Sequence, residues 1–145
     1  MNTREPLMRL EFSSSLDMLE PVQAVADQVG RLAGLDEDAL HCVNVAVRES
    51  VINAVKHGNR NDRQKRVIVE FRSGGQDGSA ELTILVRDEG PGFDPSALAD
   101  PLSPDNILKP DGRGVFLIRN FMDEVVIQKA PQGGMEVRMV KRSQR

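Results

Sequence analysis

The order in which helix-period and strand-period stretches follow one another confines this chain to very few folds. Leu19, Val22, Val25, Ala26, Val29 and Leu32 recur at three- and four-residue intervals, which predicts a helix over Met18–Ala33 with Gly34 as its stop. A second helix follows at once. Asp36 caps it, Leu40, Val43, Val47, Val51, Ala54 and Val55 share one face, and it ends near His57, Gly58 and Asn59. A strand over Leu7–Phe12 precedes the pair, broken by Ser13, Ser14 and Ser15, and a polar turn over Asn59–Lys65 follows it. Then come two candidate hairpins: Arg66–Arg72 with Glu81–Arg87 across Gly74–Gly78, and Glu124–Lys129 with Met135–Lys141 across Pro131–Gly134. Between them, Gly112, Arg113 and Gly114 open a short helix over Val115–Met122. The order is β-α-α-β-β-loop-α-β-β. Hairpins with helices gathered between them predict an α+β two-layer sandwich, a mainly antiparallel mixed sheet with helices on one face.

At 145 residues this is one domain, 1–145, with no repeat and no low-complexity tract. No run of about 18 apolar residues exists to span a bilayer, and Met1–Arg9 lacks the apolar block of a signal peptide. The expected compartment is the cytoplasm, with no membrane contact. A net charge of −3, with neither Trp nor Tyr for stacking on bases, argues against direct nucleic-acid binding. The single Cys42 excludes an internal disulfide and a cysteine-based metal cluster; its apolar surroundings read as those of a buried, inert thiol.

Three places hold polar or glycine residues that a plain core does not require. On the second helix Glu49 and Asn53 are four apart and project from one face, with His57 a turn further on. An amide oxygen suits Mg²⁺ where phosphates supply the remaining charge, and a carboxylate one turn away can deprotonate a nucleophile. The plainer alternative is a solvated polar stripe. Directly after a strand comes Asp88-Glu-Gly-Pro-Gly92, where Gly90 and Gly92 let backbone approach a planar ligand and Asp88 can accept from an exocyclic amine. The alternative there is an ordinary tight turn. Gly112 and Gly114 at a helix start offer free N–H groups to an anion, or else simply a flexible entry. Asp88–Asp111 carries Pro91, Pro95, Pro101, Pro104 and Pro110, so it cannot be one continuous helix, and a loop that long is commonly functional. The Gly-x-x-x-x-Gly-Lys-Ser/Thr and Gly-x-Gly-x-x-Gly phosphate loops are absent.

In this order, Glu49 with Asn53, then Asp88, Gly90 and Gly92, then Gly112 and Gly114, the chain resembles the GHKL (Bergerat-fold) ATPases of histidine kinases, gyrase and MutL. Its Asn53–Asn59 segment and Asn120–Val125 are similar to those of one branch, the anti-sigma factor serine-protein kinases, and the resemblance runs from about Phe12 to Lys141. It implies ATP and Mg²⁺ as cofactors. It also implies that Glu49 is the catalytic base, Asn53 the Mg²⁺ ligand, and Asp88 the acceptor of the adenine amine in a pocket shaped by Gly90 and Gly92. Gly112, Arg113, Gly114 and Val115 would meet the phosphates, and about 94–111 would be a lid over the nucleotide. The implied partners are a sigma factor and an anti-anti-sigma (STAS-type) protein phosphorylated on serine. A homodimer is a further expectation, since an exposed first strand offers an edge to a second copy.

Two departures from the branch's pattern bear on the γ-phosphate end. Asp111 stands beside Gly112, with Lys109 the nearby positive charge, where relatives carry hydroxyl and arginine side chains; and Met135 follows Gly133 and Gly134 where relatives often have threonine. The leading expectation is therefore an ATP-dependent serine-protein kinase that also acts as an anti-sigma factor. The alternative is a nucleotide-binding partner-switching module without efficient phosphotransfer. A detached histidine-kinase ATPase domain fits less well, because only His41 and His57 are available and no extra helical hairpin exists to carry a phospho-acceptor.

Overall fold

The computed structural model describes residues 6–76, 78–91 and 110–144, with backbone alone at 110–113 and 144. The described residues open with strand β1 (Met8–Ser13) and a short turn, Leu16–Met18, held by the Ser15 side chain, which accepts from the Asp17 N–H. Helix α1 (Leu19–Ala33) stops at Gly34, where a φ of 95° lets the N–H groups of Gly34 and Leu35 fold back onto the carbonyls of Arg31 and Gly30. Helix α2 (Glu37–Asn53) begins as its sequence predicts, with the Asp36 carboxylate accepting from the Ala39 N–H at 2.8 Å and Glu37 and Asp38 in the positive first turn.

Among the described residues four more strands and one helix follow: β2 (Arg66–Gly74), β3 (Ser79–Arg87), α3 (Pro110–Phe121), β4 (Glu124–Lys129) and β5 (Met135–Gln144). The sheet order is β1-β2-β3-β5-β4, and every pairing is antiparallel, so among the described residues the sheet is not mixed. Both expected hairpins form, and among the described residues β1 and β4 are the two edges. The α+β two-layer arrangement stands.

Strand alternation decides which face is covered. Val67, Val69 and Phe71 of β2, with Ala80, Leu82, Ile84 and Val86 of β3 and Met139 of β5, are buried beneath the helices. Helix α2 is central, packed on α1, α3 and the sheet, and presents Leu40, Val43, Val47 and Val51 to that core. The opposite face is mostly polar, with Ile68 and Val140 buried among charged side chains: Arg87 pairs with Glu136 at 2.7 Å, Gln128 donates to the other Glu136 oxygen at 2.7 Å, and Arg72 reaches Glu70 at 3.2 Å. No helix among the described residues is long and apolar enough to cross a membrane.

Three local readings differ from the sequence expectation. The regular pitch of α2 ends at Asn53; Ala54–Gly58 continue as a widened turn, closed by the Asn59 N–H on the Ala54 carbonyl five residues back at 2.8 Å. Arg60 (φ 53°) and Asn61 (φ 60°) then reverse the chain. Helix α3 begins at Pro110, since proline is preorganised for a first helical position, so Gly112, Arg113 and Gly114 lie inside its first turns, not in a loop ahead of it. Cys42 is half-buried and lines a shallow surface depression with Asp38, Lys141 and Arg142, because α2 turns that flank toward the end of β5.

Candidate functional site

The core-facing stripe of α2 leaves Glu49 and Asn53 on a flank, both half-buried. That flank meets α3. A Cβ built on Gly114, which is buried, would lie 3.2 Å from Asn53 Nδ2, 3.3 Å from Asn53 Oδ1 and 3.4 Å from Glu49 Oε2. The two polar side chains therefore share one spot with the start of α3, and the alternative of a free solvated stripe does not describe them. By helix geometry the N–H groups of Asp111 and Gly112, directly after Pro110, have no i→i−4 partner, so the same spot sits beside a positive helix end. Val115 follows, half-buried.

One turn beyond Asn53, the widened end of α2 runs into the residues that follow β3. Asp88 is 5% exposed, and its Oδ1 accepts from the N–H groups of Gly90 (2.9 Å) and Met135 (3.0 Å). The Asp88 N–H in turn donates to the Met135 carbonyl at 3.0 Å. Burial pushes the Asp88 carboxyl above the usual carboxylate range, opposed by the Gly90 and Met135 N–H donors and by the positive charge of Lys65. Among the described residues Oδ2 takes no hydrogen-bond donor, which leaves an acceptor for a ligand amine.

Three glycines make this packing possible. A Cβ on Gly58 would fall 2.0 Å from Asp88 Oδ2, one on Gly90 would fall 1.7 Å from the Gly58 carbonyl oxygen, and one on Gly134 would fall 2.1 Å from the Asp88 carbonyl oxygen. The sequence pattern singles out Gly90, while Gly58 reads as a helix stop and Gly134 as a hairpin residue. Gly134 carries a signal in its Gly133–Gly134 pair, whereas Gly58 stands alone between His57 and Asn59; that both close on Asp88 is a matter of tertiary approach. Gly92 and residues 94–109 of the expected lid lie outside the described residues, while Pro110 and Asp111 belong to the first turn of α3. No cluster of three or more His, Cys, Asp or Glu side chains suited to a metal ion occurs among the described residues.

Residues 12–141 match the histidine kinase-like ATPase domain. The chain belongs to that family. Within it, its relatives place it on the RsbW-like branch of GHKL ATPases. It is 28% identical over 147 aligned positions, covering 97% of this chain and 89% of the other, to a serine-protein kinase RsbW of Staphylococcus aureus, and 27% identical to that of S. aureus strain JH9. Among solved structures it resembles the RsbU and RsbW domains of a Mycobacterium tuberculosis protein, with a TM-score of 0.60 at 18% identity over 95% of this chain. This histidine kinase-like ATPase domain spans about a third of that longer chain (33%), and the likeness there is one of fold.

Proposed function

We propose that this chain binds ATP with Mg²⁺ and transfers its γ-phosphoryl group to a serine of an anti-anti-sigma (STAS-type) partner, while in its other state it sequesters a sigma factor in the cytoplasm. The observation that carries the reading is the convergence on Gly114, where Glu49 and Asn53 meet the opening turn of α3. Oxygen donors on α2, free N–H groups on α3 and the space left by a missing side chain suit a triphosphate and a hard cation.

In this reading Asp88 accepts the adenine amine and Gly90 and Gly92 leave room for the ring. Gly112, Arg113, Gly114 and Val115 hold the phosphates. Asn53 supplies an amide oxygen to Mg²⁺, which neutralises phosphate charge when bound. Glu49 takes the proton of the serine hydroxyl as its oxygen bonds to the γ-phosphorus; the bond to the bridging oxygen breaks and ADP leaves. Edge strand β1 is the surface through which a homodimer forms. The test is incubation with labelled ATP, Mg²⁺ and the cognate serine-bearing partner. Transfer that disappears in Glu49→Ala, with ATP binding retained, is the expected result. Tight ATP binding by the wild type without transfer would overturn the kinase reading and leave a nucleotide-binding partner-switching module.

A further inference from the structure

Asn59 is wholly buried, at 0% exposure; among the described residues the other buried polar groups sit in the sheet, at the first-strand junction, on α2 and in the candidate site. Both polar atoms of its amide are bonded. Oδ1 accepts from the Glu89 N–H at 2.7 Å, and Nδ2 donates to Ser14 Oγ at 2.6 Å and to the Arg66 carbonyl at 2.9 Å. The orientation is dictated by the partners, since a main-chain N–H can only donate and a carbonyl can only accept. Its own N–H closes the widened turn on Ala54. One side chain thus ties the end of α2, the end of β1 and the start of β2 to the residue beside Asp88. Directly before it, Gly58 lies against the Asp88 carboxylate, so any shift of this junction moves Asp88 itself.

We infer that Asn59 is a positioning residue for recognition of the base: by holding Glu89 N–H it fixes the height and direction of the Asp88 carboxylate toward the exocyclic amine of an adenine nucleotide. This rests on the reading of Asp88 as the amine acceptor. A buried amide that only stabilised the fold would be indifferent to which base is bound. One that aims Asp88 controls discrimination between bases carrying an amine and bases carrying a carbonyl at that place, where a carboxylate attracts the first and repels the second.

The experiment is titration of the wild type and Asn59→Ala with ATP and with inosine triphosphate, whose ring carries a carbonyl oxygen in place of the amine, at a temperature where circular dichroism shows both proteins folded. The expected result is a wild type that prefers ATP, and a variant whose ATP-to-inosine-triphosphate preference falls by about tenfold, the scale of a hydrogen bond to a charged group. A variant that loses stability, or binds both nucleotides equally less well, while keeping the wild-type preference overturns the role of Asn59. A wild type that binds the two equally overturns the Asp88 assignment itself, and the inference with it. Should Asn59→Ala not fold, Ser14→Ala, which removes one of the two acceptors of the Asn59 amide, is read in the same way. A fall in preference of about threefold or more supports the inference, and an unchanged preference overturns it.

Discussion

Replacing Gly114 by alanine separates what this residue does for the fold from what it does for the site. Gly114 sits in the first turns of α3 at a negative φ that any residue adopts, so alanine gains about 0.5–1 kcal/mol of helix propensity there. Against this stands the contact: the new methyl carbon would lie 3.2–3.4 Å from the Asn53 amide and the Glu49 carboxylate, tighter than ordinary van der Waals contact by a few tenths of an ångström. Both neighbours are ends of half-buried side chains that can rotate away, so the cost stays under about 0.5 kcal/mol, well short of the 1–3 kcal/mol of an overpacked core. The propensity term wins. Without nucleotide, Gly114→Ala should melt at the wild-type temperature or up to about 3 °C above it. The side chains that make room are, however, the proposed Mg²⁺ ligand and base, and the methyl fills the space offered to phosphate. The rise in melting temperature on adding ATP and Mg²⁺, which reads affinity through mass action, should therefore shrink by most of its size. Thermal unfolding with and without nucleotide measures both quantities. A nucleotide-free melting temperature lowered by more than about 3 °C would show that the glycine serves the fold, and an undiminished nucleotide shift would refute the placement of the phosphates.

Gly134→Ala should behave in the opposite way. With a φ of 78° and a Cβ only 2.1 Å from the Asp88 carbonyl oxygen, it meets strain and backbone together, and we expect a loss of about 2–4 kcal/mol in denaturant unfolding. Gly133→Ala in the same turn (φ 97°, open space around its Cβ) should lose only about 1–2 kcal/mol, and equal losses would show that Asp88 is not what Gly134 accommodates. Asp88→Asn addresses charge. The Asp88 carboxyl is raised by burial, so its ionised form costs stability at neutral pH, and that cost vanishes as pH falls through the raised value. Asp88→Asn should be at least as stable as wild type at pH 7, with its advantage shrinking on acidification, while it no longer prefers ATP to inosine triphosphate. An advantage that grows toward low pH contradicts the burial argument.

Hydrophobic periods with turn and cap residues reach the element order, both hairpins and the helix caps at Asp36 and Gly34, because each is set by neighbours a few residues apart, and the two-layer class follows from that order. Spacing also placed Glu49 and Asn53 on one helix face, since four residues make about one turn. Which face that was required the third dimension. Only the packing of α3 across α2 brings Gly114 to within van der Waals reach of both side chains, over sixty residues away in sequence. The widened turn at Ala54–Gly58 was invisible in composition, as it depends on where the Asn59 N–H finds its acceptor. The junction of Gly58, Asn59, Asp88 and Gly134 was hidden for the same reason. Its members come from three separate segments, and their contacts are created by sheet register and helix docking, which no local pattern encodes.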